Sequence, residues 1–289
     1  MKPIATRNTL IAGHRIAHDI YGSGEPLVLL HGTPASSLIW RNLLPHFTRR
    51  GWQVHLFDLL GYGHSERPRD PDVDTSISAQ VPVLETLMQH WGLTSAHLVA
   101  HDFGGAVAQR YALAAPQSVR TLTLVDSVSF DSFPSPRTRE LMQNGIASLL
   151  SAPDKAHRAH FRAWLLSAVS RPENLDPQAL ETYLELISGP VGQSSFFQHQ
   201  LRHYDPRHTL EIAGRLHKLG QLPVKIIWGA DDAWQDPAWA HRLQQAIPGA
   251  ELSIVDGCGH FIQEDNPDAL AGLLLDFLSR HRQMPHQAS

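Results

Sequence analysis

Short apolar runs that alternate with helical patterns are the feature of this sequence that most restricts its fold. The runs are PLVLLHG (26–32), QVHLFD (53–58), SAHLVAHD (95–102), VRTLTLVDS (119–127), PVKIIWGADD (223–232) and AELSIVDG (250–257). Helical patterns separate each run from the next, and this alternation is typical of parallel βα units. The sequence therefore predicts an α/β fold in which a mostly parallel sheet is flanked by helices.

One long helical stretch interrupts the alternation. Between residues 133 and 219 the pattern is helical, prolines mark its joints, and no run has the character of a buried strand. We therefore predict four segments: a first core part (1–132), an inserted helical cap or lid (133–219), a second core part (220–282) and a disordered tail (283–289).

Charge and cysteine content exclude several classes of protein. The 289 residues carry a net charge of −4 without a basic stripe, which argues against nucleic acid as a partner. The single cysteine, Cys258, excludes an internal disulfide and a multi-cysteine zinc site. The N-terminal residues lack the apolar core of a signal peptide, so we expect a cytoplasmic protein with no membrane association.

Nineteen histidines are present, but their spacing does not match a metal site. We expect most of them to be exposed to solvent, and we expect neither a metal nor a cofactor. The expected partner is a small-molecule substrate, while the oligomeric state stays open.

Polar residues follow the predicted strands at the end where each strand stops. They are His31, Asp58, Asp102, Asp126, Asp231, Asp232 and, after the last strand, His260. In an open α/β sheet the carboxyl ends of the strands meet at one edge, where functional groups gather. The sequence thus predicts that an early acid, a later acid and a final histidine meet beneath the cap.

The stretch LVAHDFGG (98–105) places an aspartate, Asp102, between a buried strand and two glycines. A carboxylate is costly to bury without a partner, so Asp102 needs a function. The strand, sharp turn and helix resemble the nucleophile elbow G-x-S-x-G of the α/β-hydrolase superfamily, with Ala100 replacing the first glycine and Asp102 replacing serine. An aspartate there is typical of the epoxide hydrolase and haloalkane dehalogenase branch.

Three further segments are similar to motifs of that branch: HGTPASSLIWRNLLP, WGADDAWQDP and GHFIQEDNPD. The resemblance implies that Asp102 is the nucleophile, that His260 is the base and that Asp232, in preference to Asp231, orients the histidine. It also implies an oxyanion hole made by the backbone N–H groups of Thr33 and Phe103. Asp126 is the alternative acid, because some dehalogenases place theirs at the end of that strand.

This set of residue types suits attack on saturated carbon. An ionised carboxylate can open an epoxide or displace a halide without a general base, leaving an alkyl ester on Asp102. Water must then attack the ester, and a histidine with a pKa near neutrality is a suitable base for that step.

Residues of the predicted cap bear on the substrate. Epoxide hydrolases use two cap tyrosines to protonate the opening oxygen, and ETYLELISGP resembles the first tyrosine segment, which selects Tyr183. That tyrosine also belongs to an i, i+3, i+4, i+7 apolar stripe typical of a core. The second tyrosine segment resembles SSFFQHQ, where Phe196 and Phe197 stand instead of tyrosine, and Tyr204 and His199 are the alternatives for that role.

Several reactions remain open at this point. Haloalkane dehalogenases hold halide with a tryptophan after the nucleophile, where this chain has Phe103, which has no N–H to donate. We therefore favour an epoxide of a small apolar compound as substrate. Haloalkane dehalogenation is the first alternative, followed by ester or lactone hydrolysis and by a non-catalytic small-molecule receptor.

Overall fold

The computed structural model describes residues 1–282, so the tail predicted over 283–289 lies outside the described residues. Within 1–282 there are eight strands: β1 (Arg7–Ile11), β2 (His14–Gly22), β3 (Glu25–Leu30), β4 (Trp52–Phe57), β5 (Ala96–His101), β6 (Val119–Val125), β7 (Val224–Gly229) and β8 (Glu251–Val255). Each of the six runs predicted as strands forms a strand.

The strands form one sheet in the order β1-β2-β4-β3-β5-β6-β7-β8. Pairing is parallel from β4 through β8, whereas β2 runs antiparallel to both of its neighbours. The predicted mostly parallel α/β sheet is therefore confirmed. Strands β5 and β7 are buried along their whole length, as expected of parallel strands with helices on both faces.

Helices cover the two faces of the sheet and fill the interval between β6 and β7. Over residues 1–282 the α-helices are α1 (Leu44–Thr48), α2 (Ile77–His90), α3 (Asp102–Ala114), α4 (Pro136–Asn144), α5 (Ile146–Leu150), α6 (Asp154–Leu166), α7 (Pro177–Ile187), α8 (Gly189–Ser195), α9 (Arg207–Ala213), α10 (Ala238–Ala246), α11 (Ile262–Asp265) and α12 (Pro267–Arg280). We call α4–α9 and the turns between them the inserted helices.

A change of helical pitch follows α8 in the inserted helices. Residues Phe196–Gln200 form a π-helical turn and Leu201–His203 a 3₁₀ turn, so the chain leaves the helix at Tyr204. Such irregular turns are frequent at functional sites, because they redirect side chains that a regular helix would hold elsewhere. Here the break sends Tyr204 toward the sheet edge.

The prediction of mostly exposed histidines is wrong for a large group. The structure buries His18, His31, His55, His97, His101, His157, His199, His208 and His260. Several of these rings pack against aromatic side chains, and His97 also bonds through both ring nitrogens, to Thr121 and Glu25. Imidazole combines an apolar ring with two polar atoms, so it is buried more readily than a permanently charged side chain.

No helix within residues 1–282 is long and apolar enough to cross a membrane.

Candidate active site

Asp102 lies at the sharp turn between β5 and α3, at the carboxyl edge of the sheet. Its φ of 51° is in the left-handed region, which non-glycine residues seldom adopt. Gly32 makes room for this turn, because a Cβ at that position would overlap the Asp102 side chain. The side chain thus stands at the N-terminus of α3, where the helix dipole stabilises negative charge.

The two oxygens of Asp102 have different surroundings. Oδ1 accepts a 2.8 Å hydrogen bond from the Thr33 backbone N–H, and Oδ2 lies 3.4 Å from Nε2 of His260. Burial by itself raises the pKa of Asp102, but His260 and the Phe103 backbone N–H outweigh it and hold that pKa below its ordinary value. Asp102 is therefore an ionised, buried carboxylate whose Oδ1 is anchored on the Thr33 backbone N–H.

His260 and Asp232 come from the loops after β8 and β7 and form a close pair. Nδ1 of His260 lies 2.8 Å from Oδ2 of Asp232. The other oxygen of Asp232 accepts hydrogen bonds from the backbone N–H groups of Trp234 (2.8 Å) and Gln235 (2.9 Å). Asp231 is exposed, so the structure brings Asp232 to the histidine, as the motif comparison suggested.

The charge state of His260 follows from its two neighbours. Burial disfavours the imidazolium, yet Asp232 on one side and Asp102 on the other raise the pKa of His260 well above its ordinary value. The two carboxylates thus favour the imidazolium form of His260.

Asp126 lies beside this pair without facing the imidazole. Its Oδ1 accepts a 2.8 Å hydrogen bond from the Gly229 N–H, while its buried Oδ2 receives none from any described residue. Burial and the charge of Asp232 raise the pKa of Asp126 well above its ordinary value. Burial and the neighbouring charge therefore favour the neutral, protonated form of Asp126.

His101 supports the loop that carries His260. Its Nε2 lies 3.0 Å from the backbone carbonyl of His260, to which it donates, and the two ring centroids are 4.8 Å apart. Burial is the main reason why the pKa of His101 falls to about 3, so this ring is neutral. His101 thus packs beneath the turn that carries Asp102.

A cavity of about 360 Å³ opens onto Asp102. The core contributes Thr33, Asp102 and Trp234 to its wall, and the inserted helices contribute Trp164 and Tyr204 among others. The Tyr204 hydroxyl is hydrogen-bonded to Oγ1 of Thr33, the residue whose backbone N–H donates to Asp102. The cavity thus gives access to the Asp102 carboxylate, behind which His260 and Asp232 are buried.

The family model of the α/β hydrolase fold matches residues 25–267 of this sequence. The chain belongs to the α/β hydrolase family. A solved α/β hydrolase fold protein from Burkholderia ambifaria is 33% identical, with a TM-score of 0.83 over 94% of this chain and 97% of that one.

Two relatives of this α/β hydrolase have names that refer to different reactions. The soluble epoxide hydrolase of Corynebacterium sp. strain C12 is 28% identical, covering 96% of this chain and 98% of the relative. The 2-hydroxy-6-oxononadienedioate/2-hydroxy-6-oxononatrienedioate hydrolase of Burkholderia vietnamiensis is also 28% identical, covering 92% and 91%. Overall similarity thus supports a hydrolase, and the choice of reaction depends on the site itself.

Of the three cap residues singled out from the sequence, the structure brings one to the hydrolase's cavity. The Tyr183 hydroxyl donates to Glu264 at 2.9 Å, and Arg41 pairs with the same carboxylate at 2.6 and 2.7 Å. Tyr183 therefore fastens α7 to the core, away from the cavity. Phe197 packs near the His157 ring, with centroids 6.3 Å apart, and is also outside the cavity wall.

Two residues of this hydrolase's site were missed by the sequence reasoning. Trp234 lines the cavity and stacks on His260, and Tyr62 places a buried hydroxyl, without a hydrogen bond from the described residues, next to Phe103. Trp234 lies within WGADDAWQDP and Tyr62 within DLLGYG, so both motifs contained a signal. An aromatic residue two positions after a candidate acid was the clue for Trp234.

Proposed function

We propose that this α/β hydrolase opens the epoxide ring of a small apolar substrate through a covalent ester on Asp102. The observation that carries the proposal is an ionised aspartate where serine hydrolases have their nucleophile, with one oxygen on backbone donors and the other beside a histidine. A carboxylate is a poor nucleophile toward acyl groups but adequate for strained saturated carbon. The epoxide hydrolase relative supports the same substrate class.

In the first step Oδ2 of Asp102 attacks a ring carbon, and the carbon–oxygen bond of the epoxide breaks. The alkoxide that leaves needs a proton, and the Tyr204 hydroxyl is the donor we assign because it lies in the cavity wall with Asp102. The excess proton on His260 then restores the phenol. The step ends with a neutral ester on Asp102, an alcohol and a neutral imidazole.

Loss of the Asp102 charge prepares the second step. The imidazolium of His260 is stabilised by two carboxylates, and alkylation neutralises one of them. The pKa of His260 therefore falls in the ester intermediate, which makes the ring available as a base just when water must be activated. Water attacks the ester carbonyl and gives one proton to Nε2. The acyl C–O bond then breaks, the leaving alkoxide takes the second water proton, and the diol departs, which restores the Asp102 carboxylate and the imidazolium of His260.

A second cavity beside the first favours an apolar substrate. A second cavity of about 280 Å³ adjoins the first, since both are lined by Arg137, Thr138 and Trp164. Its wall is rich in apolar side chains of the inserted helices, including Phe161 and Phe196. We propose that the inserted helices form a cap over the site and that the second space accepts an alkyl or aryl group of the substrate.

Haloalkane dehalogenation is the second candidate function. It is favoured by the indole of Trp164 in the cavity wall, because an indole N–H can donate to a halide. It is disfavoured by Phe103, whose side chain has no hydrogen-bond donor for a halide. It is also disfavoured by Trp234, whose indole N–H already donates to Oγ of Ser167 at 3.0 Å.

Oxygen labelling tests the covalent route. In a single turnover in heavy-oxygen water, the ester route transfers an Asp102 oxygen to the product and leaves the label in the Asp102 peptide. The compound used is one that the enzyme converts in a screen of epoxides, haloalkanes and esters. Label found only in the product, with an unlabelled Asp102 peptide, would show that His260 activates water directly and would refute the proposal.

Replacement of Tyr204 by phenylalanine is expected to slow epoxide opening about 10²- to 10⁴-fold, the usual contribution of a general acid. A haloalkane, whose halide leaves without a proton, should lose much less. The measurement is the single-turnover rate of Asp102 alkylation by each substrate class.

Tyr183→Phe is the matched control, because Tyr183 is a buried tyrosine outside the cavity wall. This variant should keep the alkylation rate and lose about 1.5–3 kcal/mol of stability through the lost hydrogen bond to the Glu264 carboxylate, whose two oxygens stay paired with Arg41. Equal loss of alkylation in both variants would remove Tyr204 from the mechanism.

A further inference from the structure

Three stacked rings connect the inserted helices to His260. The rings of Trp164 on α6 and Trp234 in the loop after β7 are 4.6 Å apart with an interplanar angle of 10°. The ring of Trp234 in turn lies 5.0 Å from that of His260 at 28°. The indole of Trp234 thus lies between the inserted helices and the histidine.

Trp234 is held at both ends. Its backbone N–H donates to Oδ1 of Asp232 at 2.8 Å, and its indole N–H donates to Oγ of Ser167 at 3.0 Å. The Ser167 hydroxyl donates to the Trp164 carbonyl at 2.6 Å, so the acceptor is itself fixed to the end of α6. The indole plane therefore has little freedom to leave the imidazole.

The remaining surroundings of His260 are charged or aromatic. Asp232 and Asp102 face its two nitrogens, Asp126 lies behind Asp232, and the neutral His101 ring packs 4.8 Å away. Phe261 completes the enclosure, 5.8 Å from the imidazole. The ring of Trp234 is inclined by 28° to the imidazole, and that of Phe261 by 33°, so the indole face is the more nearly parallel of the two. The electron-rich face of an indole attracts a cation within about 6 Å.

We propose that Trp234 is a positioning residue for the reaction: its indole face holds the imidazolium of His260, its backbone fixes Asp232, and Trp164 ties both to the inserted helices. The kinetic part of this proposal rests on the proposed function, whereas the effect on the charge of His260 does not. A tryptophan that merely filled space could be replaced by leucine without changing the titration of the histidine.

The test is an NMR titration of the His260 imidazole in the full chain, with the signal assigned by its loss in His260→Gln. A cation–π contact of about 0.5–2 kcal/mol corresponds to about 0.4–1.5 pH units. Trp234→Leu should lower the midpoint by about that amount, Trp234→Phe by less, and Trp164→Leu only slightly. Trp91→Leu is the matched control, because Trp91 packs on His55 at 4.9 Å, in another part of the molecule.

An unchanged midpoint in folded Trp234→Leu, with folding verified by circular dichroism, overturns the proposal, as does equal behaviour of the leucine and phenylalanine variants. If Trp234→Leu does not fold, the phenylalanine variant decides: its midpoint must lie below that of the wild type. The titration needs no substrate, so a shifted midpoint without epoxide turnover refutes only the proposed function. With turnover, the pH dependence of ester hydrolysis should shift in the same direction as the midpoint.

Discussion

Replacement of His260 by glutamine is expected to stop catalysis after the first step and leave the substrate attached to Asp102. Alkylation needs the Asp102 carboxylate but no base, whereas ester hydrolysis needs a group that accepts a proton from water. Glutamine has no basic atom, so multiple turnover should fall by orders of magnitude while the ester accumulates.

Mass spectrometry of the intact protein measures the outcome and identifies the reaction class. An epoxide should add its whole mass, because ring opening loses no atom, and a haloalkane should add only its alkyl group. A lactone can also add its whole mass, so the lifetime of the adduct in mild aqueous buffer separates a stable alkyl ester from a labile anhydride.

His97→Gln provides the control for the His260 variant, since His97 is buried in contact with Glu25 and Thr121, away from the cavity. It should turn over like the wild type. Near wild-type turnover in His260→Gln would contradict the assignment of the base.

Replacement of Asp232 by asparagine is expected to lower turnover by about 10⁴-fold, the loss typical when the orienting acid of a triad becomes an amide. The Asp232 carboxylate accepts from Nδ1 of His260 at 2.8 Å and so directs the other nitrogen, Nε2, toward Asp102. An asparagine amide facing Nδ1 would favour the opposite tautomer and would leave the imidazolium with one counter-charge fewer.

Asp126→Asn is the matched comparison, because burial and the charge of Asp232 raise the pKa of Asp126 and favour its neutral form. An amide in its place keeps the shape and still offers a donor toward Asp232, so the cost in turnover should be small. The reverse ranking of the two variants, measured by steady-state kinetics, would move the orienting acid to the end of β6.

Local patterns sufficed for the sheet and for the turn that carries Asp102. Alternation of apolar runs and helical patterns is encoded within about ten residues, so the strands β3–β8 could be predicted without long-range information. The turn at Asp102 has its own local signature, a small residue and two glycines around the aspartate, and the structure shows the left-handed backbone that such a turn requires.

The histidines show where local patterns fail. Whether an imidazole is buried depends on partners that come from distant segments: His97 bonds to Glu25, 72 positions earlier, and His157 to the carbonyl of Ile187, 30 positions later. The spacing of histidines along the chain does not predict such contacts, so the expectation of exposed rings was wrong for the buried histidines.

By itself the sequence determined the α/β fold, the place of the helical insertion and the order of Asp102, Asp232 and His260 along the chain. Tertiary structure alone decided which tyrosine reaches the cavity, because Tyr183 turns to Glu264 while the irregular turns before Tyr204 direct that side chain to Thr33. It also decided that Trp234 stacks on His260. Periodicity specifies which face of an element is buried, whereas the packing of elements far apart in sequence specifies what that face meets.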